Sequence, residues 1–274
     1  MTIDLHTHSN KSDGTDSPKE LIANAVAAGL TVVALTDHDS TEGWTEADKA
    51  AKRADIRLIK GIEISTKLSG KSIHLLGYEF DPTDKPLLTE LNKVLDGRNS
   101  RLPATLERLR DIGIDIDAKD VRRHSSNAAA MGRPHVADAL VELGVVANRD
   151  EAFAKYLTPG KPAYVDRYAA DLVTAIRLVK AAGGRTVLAH PWSRGSHRVL
   201  TATQIGALKE VGLDGLEIDH NDHSADDRAE LAYIAKKLDL VRTGSSDYHG
   251  TGKIDFELGC NTTAVDQFNR LFGG

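Results

Sequence analysis

Short apolar segments alternate with amphipathic segments along most of the chain, and this alternation restricts the fold more than any other feature of the sequence. The segment TVVALTDHD at 31–39 is apolar before it turns polar, which is typical of a strand buried on both faces of a sheet. The segment SPKELIANAVAAGL at 17–30 has Ser17 in position for a helix N-cap and Pro18 at the first helical position. Strands joined by helices predict a mainly parallel sheet, open or closed into a barrel.

The alternation stops between residues 86 and 160, where the sequence predicts helices without a strong strand. It resumes with a helix over 169–182 and the strand TVLAHP at 186–191. We therefore predict that a small helical cap subdomain of residues 100–165 is inserted into a barrel formed by residues 1–99 and 166–274.

Composition narrows the class of partner. The formal net charge of −5 argues against a broad basic surface, so long duplex nucleic acid is not an expected partner. Aromatic residues make up 5% of the chain, too few for a platform that stacks many bases in a row. Cys260 is the single cysteine, which excludes a disulfide framework and favours a cytoplasmic location. We find no signal-peptide pattern and no apolar stretch of about 20 residues, so we expect no membrane association.

Histidine and acidic residues follow most of the predicted strands at the point where each strand ends. His74 differs, because it stands early in its strand. In a parallel barrel the carboxyl ends of the strands gather on one face, where active sites are built. With the Asp of an SDG turn added, the candidates for one shared site are His6, His8, Asp13, His38, Glu63, His74, His190, Asp247 and His249.

These residue types predict a metal centre. Imidazole suits zinc, iron and manganese, and carboxylates neutralise charge and can bridge two ions. His6 and His8, two apart on an extended segment, project to the same side and can reach one ion. Six histidines and three carboxylates are too many for one ion but suit two or three. Such a centre attracts phosphate and lowers the pKa of bound water towards about 7, which provides a hydroxide nucleophile.

The segments DLHTHSNKSDG, LTDHDS, GIEIS, IHLLGY, LAHP and SSDYHG, in this order, resemble the polymerase and histidinol phosphatase (PHP) superfamily. The resemblance spans residues 4–250 and implies a distorted (β/α)7 barrel with a trinuclear centre of zinc, manganese or iron ions. The nine candidates above match the family's ligands. Asp37 is not a typical ligand, and we expect it to orient a histidine instead.

The segment GRPHVADAL at 132–140 resembles stand-alone PHP phosphoesterases that act on nucleotides, where an Arg and a His of the cap hold a substrate phosphate. The matching residues are Arg133 and His135; the alternative is that the segment merely begins a helix and leaves Arg133 in solvent. Arg194 and His197, in the loop after His190, are further candidates for a phosphate contact.

Several residues near these segments have weaker predictions. Ser125, Ser126 and Asn127 could contact phosphate or cap a helix, and His124, His220 and His223 are expected at the surface or behind the ligands.

The resemblance implies a metal-dependent phosphoric ester hydrolase of the phosphatase class. We expect it to hydrolyse a phosphomonoester of a small nucleotide, such as a nucleoside 3′,5′-bisphosphate, or to trim short RNA in the 5′→3′ direction. Histidinol-phosphate hydrolysis is the alternative within the superfamily. A non-catalytic metal-binding module is the alternative of another class.

Overall fold

Eight strands form one sheet in residues 1–125 and 128–273, the part of the chain that the computed structural model describes. The strands are β1 Ile3–Asp4, β2 Val32–Leu35, β3 Arg57–Leu68, β4 Lys71–Tyr78, β5 Ala170–Asp171, β6 Arg185–Ala189, β7 Gly215–Asp219 and β8 Val241–Gly244. Their order is β1-β2-β3-β4-β6-β7-β8, and the short β5 pairs with β3. The pairs β1–β2, β2–β3, β6–β7 and β7–β8 are parallel, as the alternating pattern predicted.

The two ends of this sheet approach each other at the carboxyl ends of β1 and β8. The amide of His8 donates to the carbonyl of Tyr248 at 2.8 Å, and the amide of Asp247 donates to the carbonyl of His6 at 2.9 Å. The sheet is therefore a nearly closed barrel of seven strands. The predicted fold class, a distorted seven-stranded α/β barrel, is confirmed.

Strand β4 runs antiparallel to both its neighbours, β3 and β6. A tight hairpin joins β3 to β4 at Ser69 and Gly70, whose φ angles of 49° and 79° fit the positive values that two-residue hairpin turns require. Because β4 is reversed, its beginning lies at the edge where the parallel strands end. His74 accordingly pairs in register with Ser65 and Ala189. The reversal explains why His74 alone stands early in its strand.

Ten α-helices occur in the described part of the chain: α1 Pro18–Ala27, α2 Trp44–Ala54, α3 Lys85–Asp111, α4 Ala118–Arg123, α5 Arg133–Glu142, α6 Arg149–Ala152, α7 Leu172–Ala181, α8 Ala202–Val211, α9 Ala225–Lys237 and α10 Val265–Phe272. Ser17 forms a capping box with Glu20 at the start of α1, as its position predicted. No helix among them is long and apolar enough to cross a membrane.

Helix α10 was not predicted, and it packs on the interior of the barrel. Phe268, Leu271 and Phe272 are buried with inward-facing side chains of the strands, and the ring of Phe272 lies 5.6 Å from that of Tyr78. Burying a large apolar side chain contributes roughly 1.5–3 kcal/mol. The final helix therefore stabilises the barrel at the end opposite the carboxyl ends of its parallel strands.

The inserted segment has a hydrophobic core of its own. That core runs from Leu102 on α3 to Ala163 and includes buried residues of α4, α5 and α6. It supports the proposal that residues 100–165 form a cap subdomain. Helix α3 crosses the proposed boundary without a break, so the insertion begins within a continuous helix.

Candidate metal centre

All nine predicted ligands lie together at the carboxyl edge of the sheet. Their ligand atoms form three overlapping groups, in each of which the atoms are within 4.8 Å of one another. The groups are His8, Asp13, His38 and His249; His6, His8 and Asp247; and His38, Glu63 and His74. The ninth residue, His190, has its Nε2 atom 3.1 Å from Oε1 of Glu63.

Glu63 lies at the centre of the cluster. Its Oε1 is 2.6 Å from Nδ1 of His74, and its Oε2 is 3.0 Å from Nδ1 of His38. Oε2 also lies 3.4 Å from Nε2 of His6 and 3.3 Å from Nε2 of His8. With His190, this carboxylate faces histidines from four segments of the chain, so it can bridge two ions.

Hydrogen bonding fixes which nitrogens of His6 and His8 carry protons. Nδ1 of His6 donates to Glu217, and Nδ1 of His8 lies 3.4 Å from Oγ of Ser12, whose own hydroxyl donates to Asp37. A neutral imidazole has a single N–H group, so in the neutral form that binds a metal both rings present lone pairs at Nε2. These atoms are 3.0 Å apart. Two lone pairs at this distance repel unless a cation lies between them, so the donor set fits a metal ion.

Two further atoms support the same conclusion. Oδ1 of Asp13 and Nδ1 of His38 are buried and lack a hydrogen-bond partner in the described residues. Nε2 of His249 lies 3.3 Å from Oδ1 of Asp13, and Oε2 of Glu63 lies 3.0 Å from Nδ1 of His38. Neither contact has the geometry of a hydrogen bond. Buried polar atoms that are left without partners are costly, and a bound cation satisfies them.

The local electrostatics favour ionised carboxylates. Burial would raise the pKa of Glu63, yet His38, His74 and His6 hold it well below its usual value. Burial would also raise the pKa of Asp247, but Lys253, His6 and His249 hold it well below its usual value.

The same carboxylates and the same burial shift the pKa values of the histidine rings. Burial would lower the pKa of His6, but Glu217, Asp247 and Glu63 raise it well above its usual value. Burial dominates for His190 and lowers its pKa to about 4. The carboxylates of Glu217, Asp247 and Glu63 thus create a negative potential that attracts cations. The lowered pKa of His190 keeps its imidazole in the neutral form that binds metal.

Two of the proposed ligands have unusual backbone conformations. The φ angles of His190 and Asp247 are 30° and 55°, in the left-handed region that residues with a side chain rarely adopt. Each such residue costs on the order of 1–3 kcal/mol and persists only where the surrounding structure enforces it. Strain of this kind clusters at functional sites.

Glu217 on β7 was missed by the sequence analysis. It is fully buried, its Oε1 and Oε2 lie 3.0 and 3.2 Å from Nδ1 of His6, and its Oε2 accepts the amide hydrogen of His190 at 2.8 Å. The signal was present in the sequence, since this acid stands between Leu216 and Ile218 in a buried strand. The same pattern marked Glu63.

Of the two places expected for His220 and His223, the surface or behind the ligands, His220 has the second, in contact with Asp247. Both are buried. Nδ1 of His220 accepts the amide hydrogen of Asp222, so its Nε2 donates to Oδ2 of Asp247 at 3.2 Å. His223 binds the backbone of Ile218 through Nδ1 at 2.8 Å and has a structural role. His124 is partly exposed, with its Nε2 2.7 Å from Glu142.

Asp37 contacts the loop that carries Asp13. It accepts hydrogen bonds from the amide and hydroxyl of Ser9, at 2.8 and 2.7 Å, and from the hydroxyl of Ser12 at 2.6 Å. Its effect on His8 is therefore indirect and passes through Ser12.

Arg149 is a second missed residue. Its Nη1 donates to the carbonyl of Asp13 at 3.1 Å, while Nε and Nη2 bind both oxygens of Asp138. Through it the cap holds the Asp13 loop.

The predicted phosphate contacts have different surroundings. Arg133 is half-buried, donates from Nη1 to the carbonyl of Leu157 at 3.0 Å, and packs over Phe153 and Tyr164. His135 is buried, and its Nδ1 accepts the amide hydrogen of Gly132 at 3.0 Å.

Arg194 and His197 lie in the loop after His190, and both are exposed. Arg194 lines a cleft with His74 and His190. The described contacts do not join His197 to the metal centre. The hydroxyl of Ser125 donates to the carbonyl of Val121 at 3.1 Å, and Ser126 and Asn127 lie outside the described residues.

Comparison with known proteins gives consistent matches over most of the chain. The PHP domain matches residues 4–156. The 3′,5′-nucleoside bisphosphate phosphatase of Chromobacterium violaceum is 35% identical over 94% of this chain and 90% of its own. A 5′-3′ exoribonuclease of Haemophilus influenzae is 39% identical over 96% of this chain and 95% of its own. A crystal structure from Bifidobacterium adolescentis, described as a metal-dependent phosphoesterase, superimposes with a TM-score of 0.94 at 35% identity and covers 98% of this chain and 94% of that one.

Proposed function

The chain belongs to the PHP domain family and is a metal-dependent phosphoesterase, and on this premise we propose that it hydrolyses a phosphoester of a small nucleotide. The observation that carries the proposal is the convergence of nine histidine, aspartate and glutamate side chains on one edge of the sheet. A nucleoside 3′,5′-bisphosphate is the preferred substrate. Removal of nucleotides from the 5′ end of short RNA is the second activity that we propose for the same centre.

We propose that the nine residues hold three divalent ions of zinc, manganese or iron, one for each group of ligand atoms. His190 adds a fourth ligand to the group around Glu63, since its Nε2 lies 3.1 Å from Oε1 of Glu63. Bound divalent ions supply a water of lowered pKa and neutralise the charge of the phosphate that is attacked. Carboxylates with strongly lowered pKa values stay ionised at neutral pH and keep such ions in place.

The residues around the centre have separate tasks in this proposal. Glu217 and His220 orient His6 and Asp247. Arg194, in the cleft beside His74 and His190, and Arg133, at the start of α5, supply positive charge for the substrate's phosphate. His135 contacts Gly132 and is influenced by the charge of Asp13, so we assign it to the junction between the cap and the Asp13 loop.

The two relatives compared above support the choice of substrate. One is named for a nucleoside bisphosphate and the other for RNA, and each aligns over more than nine-tenths of this chain. Neither relative supports histidinol phosphate or a non-catalytic module. The net charge of −5 also favours mononucleotides and short oligonucleotides over long ones.

A comparison of substrates tests the proposal. Phosphate release by the manganese-loaded enzyme would be measured with adenosine 3′,5′-bisphosphate, adenosine 5′-monophosphate and histidinol phosphate. We expect the largest kcat/KM for the bisphosphate. Preference for histidinol phosphate would contradict the proposed substrate class, and Glu63→Gln would serve as the inactive control.

A further inference from the structure

The loop that follows the last strand lies along the metal edge of the barrel. It runs over residues 250–259, directly after the last of the nine clustered residues, and we call it the β8 loop. The amide of Thr251 donates to Oγ1 of Thr15 at 2.9 Å, and the amide of Gly259 donates to Oδ2 of Asp4 at 3.0 Å. Both ends of the β8 loop are therefore held against the first strand and the loop that follows it.

Lys253 in the β8 loop contacts the metal centre. Its Nζ lies 2.5 Å from Oδ2 of Asp247, and its side chain is 27% exposed. Nζ also lies 3.8 Å from the centre of the Phe256 ring, a cation–π contact that helps to hold the ammonium group. The ring of Phe256 lies in turn 5.7 Å from that of His220. The lysine is thus held at the rim of the centre with part of its surface open to solvent.

The contact with Asp247 leaves Lys253 able to bind a second anion. Oδ2 of Asp247 already accepts a hydrogen bond from Nε2 of His220 at 3.2 Å, so the lysine is not its sole outer partner. An ammonium group has three N–H donors, and the described hydrogen bonds use one of them, for Asp247. Lys253 therefore keeps N–H groups for an anion that arrives from solvent.

Lys253 and Arg194 lie on opposite sides of the metal centre. Strand β4 is the fourth of seven in the order of the sheet, so it lies across the barrel from the seam where β8 meets β1. Arg194 lines a cleft with His74 on β4, whereas Lys253 contacts Asp247 beyond the end of β8. A substrate whose first phosphate lies near Arg194 therefore extends across the ligands towards Lys253.

The two proposed activities share one reacting group, the phosphate on the 3′ oxygen of the first nucleoside. Water adds to its phosphorus, the bond from phosphorus to the 3′ oxygen breaks, and the proton that the water gives up passes to that oxygen. With a bisphosphate the released product is inorganic phosphate, but with RNA the phosphate stays on the rest of the chain. The nucleotides after the reacting phosphate therefore need a place of their own at the mouth of the barrel.

An exposed apolar side chain stands next to Lys253. Ile254 is 71% exposed, the highest value among the large hydrophobic residues of the described chain. Apolar surface that a nucleobase covers gains roughly 25 cal/mol per Å² removed from water. A lysine and an exposed isoleucine side by side thus offer one contact for a phosphate and one for a base.

We propose that Lys253 and Ile254 form a subsite for the nucleotides that follow the reacting phosphate of a short RNA. Lys253 binds the next phosphate, and Ile254 packs against the next base. This inference rests on the proposed function and deepens it, because it assigns residues to the trimming of RNA alone. A nucleoside bisphosphate has neither group and does not use the subsite.

Two exposed acids limit the length of chain that the subsite accepts. Asp255 and Glu257 follow in the β8 loop, and the described contacts pair neither carboxylate with Lys253. One ammonium group binds one phosphate, and the negative charge beyond it repels further phosphates. The subsite therefore suits short RNA rather than long chains.

The test uses three substrates that grow stepwise: adenosine 3′,5′-bisphosphate, the 5′-phosphorylated dinucleotide of adenosine, and the corresponding trinucleotide. The dinucleotide adds the next base, and the trinucleotide adds the next phosphate. Initial rates of substrate loss would be measured for the manganese-loaded wild type, Lys253→Gln, Lys253→Arg and Ile254→Ser. The matched control is Lys237→Gln, which alters an exposed lysine that packs over Tyr233 at the end of α9.

Each variant should alter a different ratio between substrates. In Lys253→Gln we expect kcat/KM for the trinucleotide to fall roughly tenfold relative to the other two substrates, as loss of a charge-assisted hydrogen bond implies. Any effect that passes through Asp247 acts on all three substrates and cancels in the ratio. Lys253→Arg should restore most of the ratio, since a guanidinium group also binds phosphate. Ile254→Ser should lower the values for both oligonucleotides relative to the bisphosphate by roughly threefold or more, and Lys237→Gln should match the wild type.

Salt dependence gives a second readout. A trinucleotide whose first bridging 3′ oxygen is replaced by a methylene group resists hydrolysis at that position and would be used as a competitive inhibitor of bisphosphate hydrolysis. Each phosphate contact contributes about 0.7 to the slope of log Ki against log salt concentration for a single strand. Lys253→Gln should lower this slope by about 0.7, and Lys237→Gln should leave it unchanged.

Three results would overturn the subsite or the function on which it rests. An equal loss on all three substrates in Lys253→Gln, or an unchanged salt slope, would leave Lys253 as a partner of Asp247 alone, and unchanged ratios in Ile254→Ser would contradict the base contact. A wild type that hydrolyses the bisphosphate but neither oligonucleotide would contradict both the subsite and the trimming activity. A wild type that hydrolyses none of the three would instead contradict the proposed function.

Discussion

Oε1 of Glu217 lies 3.0 Å from Nδ1 of His6, and this contact directs the opposite ring nitrogen of His6 at Nε2 of His8, also 3.0 Å away. A carboxylate behind a histidine fixes the tautomer and makes the exposed nitrogen a better metal ligand. The same carboxylate accepts the amide hydrogen of His190, so one side chain positions two proposed ligands.

Replacement of Glu217 by Gln should weaken metal binding. The amide keeps the shape of the side chain but removes the charge that holds the proton on Nδ1 of His6. We expect metal affinity to fall by about 10–100-fold, the usual effect of losing such a partner. Competition with a metallochromic chelator measures it. Glu210→Gln, at an exposed position of α8, is the matched control, and unchanged affinity in Glu217→Gln would refute the role.

Loss of His220 should release one oxygen of Asp247. His220 and Lys253 both bind Oδ2, at 3.2 and 2.5 Å, which leaves Oδ1 for the metal centre. In His220→Ala we expect kcat to fall by roughly tenfold and the metal content per chain to drop, since an outer partner of a ligand is lost. His124→Ala, which alters a partly exposed histidine of the cap, should retain both. If the two variants behave alike, Asp247 does not depend on His220.

The contact between Arg149 and the carbonyl of Asp13 should couple the cap to one group of ligands. Arg149→Lys preserves the charge beside Asp138 but cannot reproduce the bonds from both ends of the guanidinium fork. We expect fewer ions per chain, because the Asp13 loop loses its anchor to the cap. Elemental analysis after dialysis measures this. Full occupancy together with wild-type kcat would show that the loop is held by Asp37 alone.

The final helix should contribute strongly to stability. Phe268 is buried in the barrel interior and its ring lies 4.9 Å from that of Phe272. Phe268→Ala should lower the free energy of unfolding by about 3–5 kcal/mol through lost burial and a cavity. Urea denaturation measures the change. Val265→Ala, which alters an exposed residue of the same helix, should change it little.

Local sequence patterns were sufficient to predict the nine clustered residues but not what holds them. A polar residue after an apolar run reports the end of a strand, and parallel strands end at one edge, so Glu63 and His190 could be assigned to a common site. The pairing of Glu217 with His6 joins residues 211 positions apart and depends on which strands are neighbours.

The central claim is that activity depends on ions held by the nine clustered residues. The most direct measurement removes metal with a chelator, adds Mn²⁺ back in steps, and follows phosphate release from adenosine 3′,5′-bisphosphate together with the number of ions bound per chain. We predict that activity is lost with the metal and is restored as the centre fills to three ions. Glu63→Gln should neither bind three ions per chain nor regain activity. Hydrolysis that persists in the metal-free wild type would contradict the account.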